Sequence, residues 1–113
     1  MFGRKKVIGK EKLRHLIEDG ITTEELRKNY DYSKITSMAD LLIDCGKLET
    51  IPDLDTSNVT DMSCMFLGCV SLRVIPWMDT SNVTDTSDMF ARCKSILTIP
   101  LLDTSKVFLM NHM

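Results

Sequence analysis

The chain has 113 residues, 43% hydrophobic and 27% charged, a size and composition typical of one soluble globular domain. The formal net charge of −2 excludes the strongly basic classes that bind nucleic acid or anionic membranes through charge. No apolar run approaches the length of a membrane span, and the first residues lack the apolar core of a secretory signal. We therefore expect a cytoplasmic protein, or a cell-surface protein if a leader has been removed.

The charge is distributed unevenly along the chain. Residues 1–30 carry eight Lys or Arg and five Asp or Glu, a net charge of +3. Residues 31–113 carry six and eleven, a net charge of −5. A basic start joined to an acidic remainder could serve binding, although a solvated helical surface also explains the basic residues.

Residues 1–30 are predicted to form two short helices. The first carries apolar residues three and four positions apart and ends at Gly20. The second is predicted to run from about residue 23 to residue 29, because Thr22 and Glu25 have the spacing of a capping box. Neither helix shares the pattern that follows, so we interpret residues 1–30 as an N-terminal helical cap within one domain.

Residues 31–113 repeat one pattern with a period of 24 residues. The seven residues 55–61 recur unchanged as residues 79–85, and the pattern begins again at Asp103. A degenerate earlier copy starts at Asp31, which gives about three and a half repeats. A fixed period of this length is typical of a stacked repeat solenoid.

Each repeat is predicted to contain one helix, one strand and one turn. The helix would follow Thr60, end at Gly68 and present an apolar stripe made of Val59, Met62, Met65, Phe66 and Cys69. Residues 72–76 predict a strand that ends at Pro76, and the Asp-Thr-Ser-Asn that follows is typical of turns. The predicted fold class is therefore an α/β solenoid of strand–turn–helix units with parallel strands and an N-terminal two-helix cap.

The repeat resembles a known family. Its sequence, Asp-Thr-Ser-Asn-Val-Thr-Asp-Met-Ser-x-x-Met-Phe-x-x-Cys-x-x-Leu-x-x-Ile-Pro, is similar to the BspA-type leucine-rich repeat family in its Met-Phe/Cys variant, over about residues 31–113. Members of that family are commonly bacterial surface or mobile-element proteins that bind other proteins. The resemblance implies a leucine-rich-repeat-like fold and a binding role.

Three cysteines, Cys45, Cys69 and Cys93, occupy equivalent positions on the predicted apolar stripe. Their spacing is not that of a zinc site, and we interpret them as buried free thiols that act as small hydrophobic residues. Aspartates recur in the same way, at Asp31, Asp55, Asp79 and Asp103. A row of carboxylates could bind calcium or imitate a phosphate backbone, or each could hold only its own turn.

The sequence contains no catalytic set. It has neither a Gly-rich phosphate loop nor a nucleophile motif, and its two histidines, His15 and His112, are far apart. We expect no enzymatic activity, no metal ion and no cofactor.

A candidate binding face follows from a comparison of the copies. Positions that stay apolar in every copy, such as 51, 75 and 99, are assigned to the core, and positions whose chemistry changes are assigned to the surface. Trp77 would be the anchor of this face, or else a tryptophan half covered by its own neighbours. The predicted partner-binding residues are Glu49, Asp53, Arg73, Trp77, Leu97 and Leu101.

The C-terminal end is a second candidate surface. An uncovered repeat end would associate with a second copy or with a partner, although a frayed end or a truncated chain also explains its apolar sequence. The predicted self-association residues, which could form a homodimer, are Val107, Phe108, Leu109 and Met110.

These observations predict a non-enzymatic protein–protein interaction module with a protein partner, without direct binding to nucleic acid or membrane. One alternative is a small inhibitor, for example one encoded by a mobile element, that blocks a nucleic-acid-processing protein through an acidic face. The other is a fragment of a bacterial surface adhesion protein.

Overall fold

The fold is described by a computed structural model for residues 4–107. These residues form β1 (Lys6–Val7), α1 (Lys10–Glu18), α2 (Thr23–Asn29) and β2 (Tyr30–Asp31). β1 and β2 pair as a parallel two-stranded sheet, with Lys6 opposite Tyr30 and Val7 opposite Asp31. Residues 32–107, which we call the turn-rich segment, contain no further helix or strand.

The predicted helix over residues 23–29 is confirmed. The Thr22 side chain accepts a hydrogen bond from the Glu25 backbone N–H at 3.1 Å, and the Thr22 hydroxyl donates to the Glu25 carboxylate at 2.9 Å. The side-chain oxygen of Thr22 therefore satisfies one of the backbone N–H groups that the first turn of a helix leaves unpaired. The division of the chain at residue 31 stays a prediction.

The predicted solenoid is wrong. The part of the chain that the structure describes has two helices and one two-stranded parallel sheet, and all of them precede residue 32. Strand–turn–helix units therefore do not form. The predicted repeat helix is a run of tight turns, and the predicted strand at residues 72–76 makes only an isolated parallel bridge, between Val74 and Thr98.

Left-handed residues explain why the apolar stripe is not a helix. Cys64 has a φ of 56° and Gly68 a φ of 78°. A residue with this backbone conformation cannot continue a right-handed helix. Left-handed residues recur at the equivalent positions of the other copies, namely Asp40, Asp44, Asp88 and Arg92. The apolar spacing that resembled a helix is the spacing of consecutive turns.

Backbone hydrogen bonds in these turns alternate between near and distant acceptors. Met65 N–H donates to Met62 O within the same turn at 3.2 Å, whereas the next residue, Phe66, donates to Met89 O in the following copy at 3.0 Å. Leu67 and Gly68 repeat the alternation. Backbone groups are thus satisfied between copies without the formation of strands.

One hydrophobic core connects α1 and α2 with the turn-rich segment. Leu13, Ile17 and Leu26 supply the helical side of the core. On the other side, the rings of Phe66 and Phe90 stack with centroids 5.6 Å apart and planes 1° apart. Within residues 4–107, no helix has the length and apolar character needed to cross a membrane.

Side chains of α1 bind the carbonyl groups at the start of the turn-rich segment. Lys10 Nζ donates to Ala39 O at 2.7 Å, and Arg14 donates to Leu41 O at 3.4 Å and to Ile43 O at 2.9 Å. The equivalent carbonyls one copy later accept backbone N–H groups from residues 40, 42 and 44. Two cationic side chains therefore bind these carbonyls, to which no backbone N–H of residues 4–107 donates.

We expect Arg14→Met to lower the free energy of unfolding by about 1–3 kcal/mol, because the Leu41 and Ile43 carbonyls lose a charged donor. Urea denaturation monitored by circular dichroism measures the change. Lys12→Met, an exposed position on the same helix, is the matched control and should change stability by less than about 0.5 kcal/mol. Equal losses in the two variants would contradict the role given to Arg14.

We expect Gly68→Ala to destabilise the protein by roughly 1–3 kcal/mol. Its φ of 78° disfavours any side chain, and an added Cβ would lie 3.3 Å from the Asp44 Cα and would displace the Asp44 carboxylate. Gly46→Ala is the control, because a Cβ there meets only ordinary contact with Val70 at 3.5 Å. Thermal unfolding of both variants tests this prediction, which fails if Gly46→Ala is the more damaging.

Candidate partner-binding face

The six predicted partner-binding residues, which we call the variable face, are all exposed: Glu49, Asp53, Arg73, Trp77, Leu97 and Leu101. Exposure reaches 67% for Trp77, 75% for Leu97 and 91% for Leu101. Large apolar side chains with this much contact with water are unusual enough to mark candidate binding surfaces. That they bind a partner stays a prediction.

Backbone hydrogen bonds place three of these residues side by side. Arg73 N–H donates to Glu49 O at 3.0 Å, and Leu97 N–H donates to Arg73 O at 2.8 Å. Arg73 Nε also lies 3.6 Å from Glu49 Oε1, with both side chains more than half exposed. Such a pair contributes little stability in water, so both charged groups can exchange this contact for one with a partner.

The inward side of the same segment is apolar, as predicted for the central copy. Ile75 and Met78 are buried on either side of the exposed Trp77. The prediction is wrong for Ile99, which is 50% exposed although it is equivalent to Ile75. Ile51 is half buried. The apolar side is therefore best covered in the middle of the turn-rich segment.

The structure divides the remaining residues of the variable face between two clefts. Trp77 and Leu101 line a cleft of about 580 Å³. Asp53 lines a different cleft of about 570 Å³, together with Lys5 and Arg27. The Asp53 backbone N–H donates to Thr23 Oγ1 at 3.0 Å, so it is tied to the first residue of α2. Asp53 is thus separated from Trp77 and Leu101, which occupy the equivalent positions of the next two copies.

Each repeated aspartate organises its own turn. Asp79 Oδ1 accepts the backbone N–H of Ser81 at 3.0 Å and its hydroxyl at 2.6 Å. These bonds lower the pKa of Asp79 below its usual 3.8, because they favour the charged carboxylate. Asp31 and Asp103 have lowered pKa values for the same reason, through Ser33 and Ser105. Asp55 accepts the same bonds from Ser57, so the local turn role is present in all four copies.

The possibility of a calcium site has no geometric support in the part of the chain that the structure describes. No group of three or more His, Cys, Asp or Glu side chains within residues 4–107 is placed to hold a metal ion. Each copy has one of these repeated aspartates, and its Oδ1 atom accepts a hydrogen bond from the backbone N–H two residues later in the same turn.

The three equivalent cysteines are free thiols, and two of them form hydrogen bonds between copies. Cys69 Sγ donates to Leu42 O and Cys93 Sγ donates to Phe66 O, each at 3.0 Å. Burial, and to a lesser extent the neighbouring Cys93 and Cys45, raise the pKa of the Cys69 thiol to about 12. A thiol that stays protonated is a poor nucleophile, so these groups serve packing rather than reaction.

Sequence comparison missed one exposed apolar residue beside the variable face. Val74 is exposed and forms the isolated bridge with Thr98. Its equivalent in the first copy is Thr50, so the change in chemistry between copies could have identified it. Of the predicted self-association residues, Val107 is half buried against the core. Phe108, Leu109 and Met110 lie outside the described residues.

A family model described as Mycoplasma protein of unknown function, DUF285, matches residues 11–113. The chain belongs to the DUF285 family. No curated protein and no solved structure matches the chain. The DUF285 match begins inside α1, so it includes Arg14 together with all the copies of the repeat. The family description names no function, and the proposed role must therefore rest on the geometry of the face.

In this DUF285 protein we expect Cys69 to react with iodoacetamide at pH 8 at least about 100-fold more slowly than it does in urea, because burial raises its pKa to about 12. Cys64, which is only half buried, is the internal control and should be modified first among the four cysteines. Mass spectrometry of peptides from timed samples measures both rates. Modification of Cys69 before Cys64 in the folded protein would contradict the packing described.

Proposed function

We propose that this protein is a non-enzymatic protein–protein interaction module that binds its partner through the variable face. The observation that carries the proposal is the exposure of Trp77, Leu97 and Leu101 on a segment whose neighbours Ile75 and Met78 are buried. Trp is enriched among the residues that contribute most to binding at protein interfaces. An apolar surface supported by a buried layer is a rigid surface, which lowers the entropy cost of association.

The resemblance of the repeats to the BspA-type family supports a binding role, since members of that family commonly bind other proteins. The chemistry of the site residues supports the absence of catalysis. The cysteine thiols have raised pKa values, and in each turn aspartate one carboxylate oxygen accepts hydrogen bonds from a neighbouring Ser, as Asp79 does from Ser81. Neither group is activated as a nucleophile or a general base.

A second candidate function is that of an inhibitor, such as one encoded by a mobile element, that blocks a nucleic-acid-processing protein. The observation that favours it is the row of ionised aspartates with lowered pKa values: Asp31, Asp79 and Asp103. Such an inhibitor would bind a basic partner, compete with nucleic acid and lose affinity steeply with added salt. A face anchored by Trp77 would be much less sensitive to salt.

The proposal places the module in the cytoplasm, and the four free cysteines support a reducing compartment. A place at the cell surface, as a fragment of an adhesion protein, is the alternative. The proposal also includes a homodimer formed through Val107 and the apolar residues that follow it in sequence. It includes no direct contact with nucleic acid or membrane.

We expect Trp77→Ala to weaken binding to the partner by about 30-fold or more, equivalent to roughly 2 kcal/mol, because the indole is the largest side chain of the face. The partner is isolated by pull-down from the native host and identified by mass spectrometry, and calorimetric titration then measures its affinity. The free energy of unfolding should change little, since the side chain is 67% exposed.

Val7→Ala is the control, because Val7 is an exposed apolar residue on β1, outside the variable face. It should leave the affinity within about twofold of the original. If both variants bind the partner as tightly as the unmodified chain, the variable face is not the binding surface.

A further inference from the structure

The cleft between Trp77 and Leu101 combines an apolar wall with two carboxylates. Trp77 and Leu101 are the exposed side chains of the wall, and the buried Met78 and half-buried Leu102 line it. Asp79 and Asp103 line the same cleft. The volume of about 580 Å³ suits a few side chains of a bound segment.

The two carboxylates keep binding capacity after forming their turns. Ser81 and Ser105 bond to the Oδ1 atoms of Asp79 and Asp103, and no described residue bonds to either Oδ2 atom. The two negative charges line one cleft and repel each other, so Asp103 opposes the lowering of the Asp79 pKa that the Ser81 hydrogen bonds cause. A cation placed between them would relieve this repulsion.

No Lys or Arg among the described residues 4–107 lines the cleft. Lys106 is close enough to lower the pKa of Asp103, but its Nζ donates to Asn82 Oδ1 at 3.1 Å and it does not line the cleft. The cleft therefore presents a net negative charge directly beside exposed aromatic and aliphatic side chains. Trp77 can also attract a cation through the face of its ring.

We propose that this cleft takes a segment of the partner protein in which a bulky apolar residue lies within three positions of a Lys or Arg. The apolar side chain would pack between Trp77 and Leu101, and the cation would bind the free carboxylate oxygens of Asp79 and Asp103. This inference rests on the proposed function and adds the chemistry of the partner to it. Charge complementarity selects this occupant over an uncharged apolar segment.

The test is selection of random dodecapeptides displayed on phage against the full chain, followed by titration of the best peptides by fluorescence anisotropy. We expect the selected peptides to carry the apolar–basic pair. Their affinity should fall at least about tenfold in Trp77→Ala and about fivefold in Asp79→Asn. Asparagine retains an Oδ1 acceptor for Ser81, so the second variant removes charge while it keeps the turn.

Asp31→Asn is the matched control. Asp31 holds Ser33 as Asp79 holds Ser81 and carries the same charge, but it lies two copies away and does not line the cleft. Its replacement should change the affinity less than twofold. Circular dichroism of each variant establishes that the fold is retained before binding is compared.

The outcomes separate this inference from the proposed function. Selected peptides that lack basic residues, or that bind Asp79→Asn as well as the original chain, overturn the inference, while continued dependence on Trp77 leaves the proposed function standing. Failure to select any peptide also overturns the inference. The proposed function is then tested separately, by comparing the affinity of Trp77→Ala and of the original chain for the whole partner.

A second copy is a competing occupant, because Lys5, Lys6 and Val7 are exposed and carry the same chemistry. Concentration-dependent self-association that Asp79→Asn and Lys6→Gln both abolish would assign the cleft to a second copy and overturn the inference.

Discussion

The alternation of backbone hydrogen bonds between near and distant acceptors is the constraint on which the rest of the turn-rich segment depends. Within one stretch, Met65 and Leu67 bond inside their turns, whereas Phe66 and Gly68 bond to the following copy. The alternation requires left-handed residues such as Cys64 at fixed intervals. From Met62 to Gly68, every second backbone N–H donates to the next copy. A side chain can therefore change in this stretch only if the new residue leaves these hydrogen bonds in place.

The same hydrogen-bonding pattern leaves carbonyl groups of the first copy without backbone donors among the described residues, and side chains of α1 bind them. In the first copy, no described backbone N–H donates to the carbonyl groups of Ala39, Leu41 and Ile43, whereas their equivalents in the second copy accept backbone N–H groups from residues 40, 42 and 44. Lys10 and Arg14 reach these carbonyls from α1 and provide the missing donors. Exposed backbone edges promote uncontrolled pairing with other chains, and long cationic side chains are a common means of blocking it. The helices are therefore part of the hydrogen-bonding system of the repeats as well as part of the core.

Sequence reasoning succeeded where a side chain acts on its immediate neighbours. The Thr22–Glu25 pair predicted the second helix, and the change of chemistry at position 77 predicted the exposure of Trp77. It failed where two backbone conformations produce the same apolar spacing. Turns that contain three residues and helices that contain 3.6 per turn place apolar residues almost alike. Gly68 is a strong local signal of a left-handed conformation, and aspartates such as Asp40 are a weaker one, because Asp adopts this conformation more often than most residues. Cys64 has no such preference, so its left-handed conformation could not be read from its residue type. The division of the variable face into two clefts likewise depends on how the copies pack.

The repeats also determine which positions are available for binding. The side chains that hold the register are the same in successive copies: Asp55 and Asp79 each bind the serine two residues on, and Thr56 and Thr80 each donate to a carbonyl of the next copy. Positions 53, 77 and 101 carry Asp, Trp and Leu on an equivalent backbone. Since the backbone bonds of each copy do not involve these side chains, a change of residue there alters the surface while the register stays intact. The surface chemistry of such a chain can therefore be replaced one copy at a time, which is the property that a binding module needs and a catalytic site, with its several coordinated groups, does not have.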